Sequence, residues 1–127
     1  MIVDLLKLKE IAEIEFYDIV KDVIIPGINA LKIILVDDSF VDVWYSIKLE
    51  NRFSYHWERR HIDGSIYRHD NAPHKKWRNI STFPGHFHCG NEDHVIESDL
   101  EENPGIDLRA FLTFIRQKIK EFVKKDE

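Results

Sequence analysis

The chain has 127 residues, 43% apolar and 12% aromatic, enough to bury one hydrophobic core but not two, and residues 1–127 are read as a single domain. No apolar run approaches the roughly 18 residues that a membrane span requires, and the one cysteine, Cys89, excludes an internal disulfide. The formal charge of −5 makes any polyanion-binding surface a local feature, not a bulk property.

The opening stretch MIVDLLKLKE interrupts any signal-like apolar core with acids, so a cytoplasmic location is expected. Residues 4–13 space Leu5, Leu8, Ile11 and Ala12 at helical intervals, which predicts a short amphipathic helix lying across a sheet. From Ile14 onward the pattern tightens into β-branched runs. FYDIVKDVII ends at Pro26-Gly27, ALKIILV follows, and FVDVWYS returns after the turn Asp37-Asp38-Ser39, giving consecutive antiparallel strands. Leu31, Ile33, Leu35, Val41 and Val43 share one buried face.

Residues 52–88 stand apart from the rest. They hold six of the seven histidines and seven Lys and Arg against three acids, about +4, while the remainder carries about −9. Residues 53–71 read as a hairpin turning at Asp63-Gly64, a pair suited to a type I′ turn. That register places Arg59 opposite Arg68. It also puts Phe53, Tyr55, Trp57, Arg59, Arg68 and Asp70 on one face, with His56, Glu58, Arg60, Tyr67 and His69 on the other. Two facing guanidinium groups need an anion between them. Either Asp70 completes a structural ion cluster, or a phosphate or substrate carboxylate binds there.

Residues 71–94 are rich in Pro, Asn, Gly and Ser and read as a long functional loop with one helical turn at residues 73–77. Within it, His86, His88, Cys89 and His94 are four potential metal ligands. Their spacing matches no recurrent zinc pattern, and the adjacent His88 and Cys89 point apart in extended chain, so neither a metal nor another cofactor is expected. Cys89 as a nucleophile lacks a legible third orienting group. Residues 90–107 then hold seven acids and no Lys or Arg. Residues 94–98 read as a short closing strand. Asn103 as N-cap and Pro104 at the first helical position open a helix whose apolar stripe is Leu108, Phe111, Leu112, Ile115, Ile119 and Phe122. The expected fold is therefore α+β, a largely antiparallel sheet of about five strands packed by N- and C-terminal helices.

The motifs SYHWERR, SIYRHDNAPH, STFPGHFHCG and HVIES, followed by the Asn-Pro helix entry, resemble the TumE family of small toxins from prokaryotic toxin–antitoxin operons. The resemblance covers most of the chain beyond about Leu31. Its most specific parts are Tyr67-Arg68-His69-Asp70-Asn71 with Pro73-His74, and Thr82-Phe83-Pro84 with His86 and His88. It implies a type II toxin neutralised by a neighbouring antitoxin, commonly a helix-turn-helix DNA-binding protein, and RNA cleavage is the expected activity.

The residue chemistry is compatible with that expectation. Metal-free RNA cleavage needs a base for the 2′-hydroxyl, cations for the phosphorane-like charge and an acid for the leaving oxygen. His56, Tyr67, Arg68, Asp70, His86 and His88 form the expected catalytic set. Arg59, Arg60, His74, Lys75, Lys76 and Trp77 are the expected RNA or phosphate contacts. Two alternatives stand beside it, a non-catalytic RNA- or partner-binding module and a metal-dependent hydrolase using His86, His88 and His94. The antitoxin is expected to act on this same basic region, and the competing expectation is that the chain's own acidic stretch, residues 92–102, folds over it as a lid.

Overall fold

The computed structural model describes residues 2–125. An N-terminal helix α1 (Leu5–Glu15) leads into seven strands, β1 (Val20–Ile24), β2 (Ala30–Leu35), β3 (Phe40–Tyr45), β4 (Phe53–Arg59), β5 (Ser65–Asp70), β6 (His86–Gly90) and β7 (Val95–Ile96), and helix α2 (Pro104–Lys125) closes the chain. The strands form one antiparallel sheet in the order of the chain, each pairing with its sequence neighbour. Fold class and both terminal helices agree with expectation, and the strand count rises from about five to seven. Strand β7 lies within the short closing strand read at residues 94–98, and the strand beyond those expected is β6, formed inside what reads as loop.

Asp4 caps α1, its carboxylate accepting from the Lys7 amide at 3.0 Å. The helix continues to Glu15 and ends in a turn in which the Ile19 and Val20 amides both donate to the Phe16 carbonyl. That turn delays the first strand to Val20 because it buries Phe16 and Ile19 in the core. Arg116 of α2 lies 4.5 Å above the Phe16 ring and pairs with Asp18 at 2.7 Å, while Arg109 makes a two-pronged pair with Glu15. These contacts fix one helix against the other.

Leu31, Ile33, Leu35, Val41 and Val43 are buried as the alternation predicts. At the start of α2, Asn103 accepts from the Ile106 amide at 3.3 Å, and the buried Asp107 carboxylate accepts from the amides of Glu101 and Asn103. Leu108, Phe111, Leu112 and Ile115 are fully buried against the sheet, with Ile119 and Phe122 partly so. Burying one such side chain contributes on the order of 2 kcal/mol, so this stripe anchors the helix. Among the described residues, no helix is long and apolar enough to cross a membrane.

The β4–β5 register differs from the expected one. Arg59 pairs with Ser65, Trp57 with Tyr67 and His56 with Arg68. The connection is five residues long, closed by the Ile62 and Asp63 amides donating to the Arg59 carbonyl and the Gly64 amide donating to the Arg60 carbonyl. Relative to the two-residue turn, pairing moves by three positions. An odd shift turns the other set of β5 side chains toward the core. Tyr67 and His69 thus join Phe53, Tyr55, Trp57 and Arg59 on the helix-covered face, and Arg68 and Asp70 move to the outer face with His56 and Glu58. The driving force is aromatic packing: Tyr67 stacks on Trp57 at 5.1 Å and His69 stacks on Phe87 at 4.0 Å.

Candidate functional site

Three strands present their outer-face side chains side by side. Cross-strand pairing sets Asp70 of β5 opposite His86 of β6, and Arg68 opposite His88. Because His86 and His88 are two apart on one strand they share a face, and Phe87 and Cys89 necessarily point to the other. Residues 71–85 fold back over this face, and a short 3-10 turn, Lys75–Trp77, sets the Trp77 ring 6.3 Å from His86 and 5.9 Å from His88. The result is a pocket of about 310 Å³ whose walls include Arg68, Asp70, Trp77, His86, His88 and Glu92.

The polar order inside it is specific. Asp70 Oδ1 accepts from the Ala72 amide at 3.0 Å and lies 3.2 Å from His86 Nε2, while Oδ2 accepts from Arg68 Nε at 3.1 Å and lies 3.8 Å from His88 Nε2. His86 Nδ1 is 2.9 Å from the Pro84 carbonyl oxygen, and His88 Nδ1 is 2.8 Å from the Glu92 carbonyl oxygen. A carbonyl only accepts, so in both rings Nδ1 carries the hydrogen and Nε2 faces Asp70. Burial pushes the His88 pKa down, which favours its neutral form.

Arg68 is the pocket's principal cation. Its two terminal nitrogens donate to the two Glu92 carboxylate oxygens at 2.8 and 2.6 Å, the fork geometry with which guanidinium binds planar oxyanions. The Arg68 bond holds the Glu92 carboxyl down at about 2, and Glu92 keeps Arg68 firmly charged. Arg60 adds a third contact to Glu92 at 3.0 Å. Gly90, at φ +93, lets β6 end in the turn that carries Glu92 back to Arg68.

The structure gathers Arg68, Asp70, His74, Lys76, Trp77, His86 and His88 around the pocket. His56 stands beside it with both nitrogens engaged: Nδ1 accepts from Arg68 Nη1 at 3.3 Å, and Nε2 donates to Glu58 at 3.1 Å. Arg60 reaches the rim through Glu92, and Lys75 lies on the same 3-10 turn with its side chain exposed. Tyr67 and Arg59 lie on the opposite face. Tyr67 is buried under α2, its ring 5.5 Å from Phe114.

Arg59 is 4% exposed, wedged between the Trp57 and Phe122 rings and paired with Asp37 at 2.5 Å and Asp63 at 3.0 Å. The two arginines expected to face each other therefore have separate acids, Asp37 and Asp63 for one, Asp70 and Glu92 for the other. The four potential metal ligands, His86, His88, Cys89 and His94, also divide. Cys89 packs against the core, and His94 is exposed with its Nδ1 on the Cys89 carbonyl. The group that converges is Asp70, His86 and His88, whose ligand atoms all lie within 4.8 Å of one another.

Glu92 is a pocket residue that the motif reading did not single out. Its signal lay in the acidic composition of the segment after β6, which suggested a lid without identifying which acid closes it. Glu92 pairs with Arg68, and its neighbour Asp93 lines the same pocket.

A family profile described as Toxin TumE matches residues 5–119. No curated protein and no solved structure matches the chain. The profile match spans α1, every strand, all the pocket residues and α2 as far as residue 119, and the chain belongs to the TumE family of toxins.

Proposed function

We propose that this TumE-family toxin cleaves RNA in the pocket between β5, β6 and the 3-10 turn, by proton transfer without a metal ion. The observation that carries the reading is the convergence of a guanidinium fork, two imidazole Nε2 atoms and a tryptophan face on one concave surface. Arg68 takes the scissile phosphate in place of Glu92 and holds the developing negative charge. His86 and His88 carry protons to and from the 2′- and 5′-oxygens through Nε2, with the Pro84 and Glu92 carbonyls orienting the rings at Nδ1 and Asp70 stabilising whichever ring is protonated. Trp77 offers a face for a base, and Lys76 and Arg60 extend the positive rim along the strand.

In this reading the cognate antitoxin is a DNA-binding protein that inhibits by covering the same pocket, placing acids or a packed helix over Arg68. The test expresses the chain alone and with its operon neighbour, and incubates the purified, chelator-treated protein with cellular RNA. Growth arrest relieved by the neighbour, RNA cleavage in the presence of chelator, and loss of both in folded His88→Ala and Arg68→Met variants support it. Salt-sensitive RNA binding without turnover would leave a non-catalytic RNA-binding module.

A further inference from the structure

We infer that Asp70, His86 and His88 form a binding site for one divalent transition-metal ion of the zinc class, held by two imidazole nitrogens and one carboxylate oxygen with its remaining positions open to the pocket. The inference goes beyond the proposed RNA cleavage and does not depend on it.

Three observations carry it. The first is tautomer. Both rings spend their Nδ1 hydrogen on a backbone carbonyl, so in the neutral state both Nε2 lone pairs face the Asp70 carboxylate. Three acceptors directed at one another without a donor between them repel, and a cation at their centre removes the conflict.

The second is distance. An ion with bonds of about 2.1 Å and tetrahedral angles sets its ligand atoms roughly 3.4 Å apart. Asp70 Oδ1 stands 3.2 Å from His86 Nε2 and Oδ2 stands 3.8 Å from His88 Nε2, and one ligand atom from each of the three residues lies within 4.8 Å of the other two, so side-chain rotations that draw them together by about 1 Å complete the site. The third is the surrounding shell. Metal-binding imidazoles donate their other nitrogen to a carbonyl or carboxylate, and metal-binding carboxylates are themselves hydrogen-bonded. Here the partners are Pro84 and Glu92 for the rings, and the Ala72 amide and Arg68 for Asp70.

Burial and charge agree. His86 is 2% and His88 5% exposed, so both rings are fixed by packing. The pocket lining holds Arg68 and Lys76 against Asp70, Glu92 and Asp93, a net −1 with neutral histidines, and Arg68, the cation beside the site, is neutralised by its fork on Glu92. Two nitrogen donors and one oxygen select zinc, cobalt or nickel over magnesium or calcium, which prefer all-oxygen sets. The ion occupies both Nε2 atoms, of which metal-free proton transfer needs one free to accept a proton and the other carrying one to give. Occupancy and that chemistry therefore exclude each other at the same atoms.

The test titrates chelator-treated full-length protein with Zn²⁺ by calorimetry and thermal denaturation, and with Co²⁺ by visible absorption. One equivalent is expected to bind, with a rise in Tm and a cobalt d–d band. Asp70→Asn, which keeps the shape of the side chain, and His86→Ala should weaken binding tenfold or more, while His94→Ala and Mg²⁺ serve as controls expected to show unchanged and no binding. Absence of stoichiometric binding to the wild type, or binding that survives Asp70→Asn and His86→Ala but not His94→Ala, overturns the site. If chelated protein cleaves RNA but takes up no metal, the metal site falls and the proposed function stands. If the protein binds one equivalent and cleaves RNA only when loaded, the site stands and the metal-free mechanism falls.

Discussion

Arg59 is expected to hold the fold together and not to contact RNA. Its guanidinium is almost wholly buried between Trp57 and Phe122, with Asp37 on one nitrogen and Asp63 on another. Asp37→Ala removes the closer acid and leaves a buried cation with only the half-exposed Asp63. Breaking a buried pair in this way costs 3–5 kcal/mol, and the remaining acid places the expected loss near the lower end, about 3 kcal/mol. In a chain of this size that lowers Tm by roughly 10 °C.

Arg59→Met removes the charge and keeps an unbranched apolar side chain between the two rings, so about 1–2 kcal/mol is expected. In the double variant Asp37→Ala adds little further, giving a coupling close to the ~3 kcal/mol of the single Asp37→Ala change. Urea denaturation at pH 7, followed by tryptophan fluorescence, measures all four corners of the cycle.

Burial by itself would raise the Asp37 pKa, but hydrogen bonds from Ser39 and Arg59 outweigh it and leave it below its ordinary 3.8. A lowered carboxyl contributes stability above the unfolded value, and that stability disappears as pH falls through the folded one. The Asp37 contribution should therefore persist from neutrality to about pH 4 and vanish below it. A loss under 1 kcal/mol in Asp37→Ala, together with abolished RNA binding in a fully stable Arg59→Met protein, would refute the structural role.

Glu92→Gln frees the Arg68 fork from a full negative charge and should raise affinity for phosphate-bearing ligands about tenfold, measured by fluorescence anisotropy with a short RNA at fixed salt. Unchanged affinity would mean that Glu92 does not compete for Arg68. Tyr67→Phe should leave RNA cleavage within twofold of wild type, because that ring faces α2, and a large rate loss in a folded variant would reassign the tyrosine. Gly90→Ala should cost roughly 1–2 kcal/mol in urea denaturation although a methyl group there meets nothing within 4 Å, since the penalty arises from φ +93. A neutral result would show that the turn carrying Glu92 relaxes freely.

What the sequence made legible follows from how local each signal is. The α2 stripe, its Asn103-Pro104 entry and the β2–β3 alternation are written in neighbouring residues, and each appears where expected. The β4–β5 register is not local. Asp63-Gly64 carries a strong two-residue turn signal, yet the chain forms a five-residue connection because Tyr67 and His69 must join Trp57 and Tyr55 under α2. Aromatic burial across three elements outweighs the turn preference of one dipeptide.

Strand β6 was hidden for a related reason. HFHC alternates imidazole with core residues, and histidines at every second position beside Pro and Gly read as loop until a second layer covers them. Most of the pocket was nonetheless anticipated as residue types, Arg68, Asp70, His74, Lys76, Trp77, His86 and His88 among them. Their grouping depended on the register, as did the separation of Arg59 and Tyr67 from them. Glu92 emerged only when the turn after β6 placed it against Arg68.

The central claim is that this pocket performs phosphodiester chemistry on RNA, and the most direct measurement is the time course of RNA cleavage by chelator-treated protein, wild type beside His88→Ala and Arg68→Met, each verified as folded. Multiple-turnover cleavage by the wild type and at least a hundredfold loss in either variant is predicted from the usual magnitude of a general acid–base group or a charge-stabilising cation. Equal rates in all three proteins, or no cleavage by a wild type that arrests growth, would contradict it.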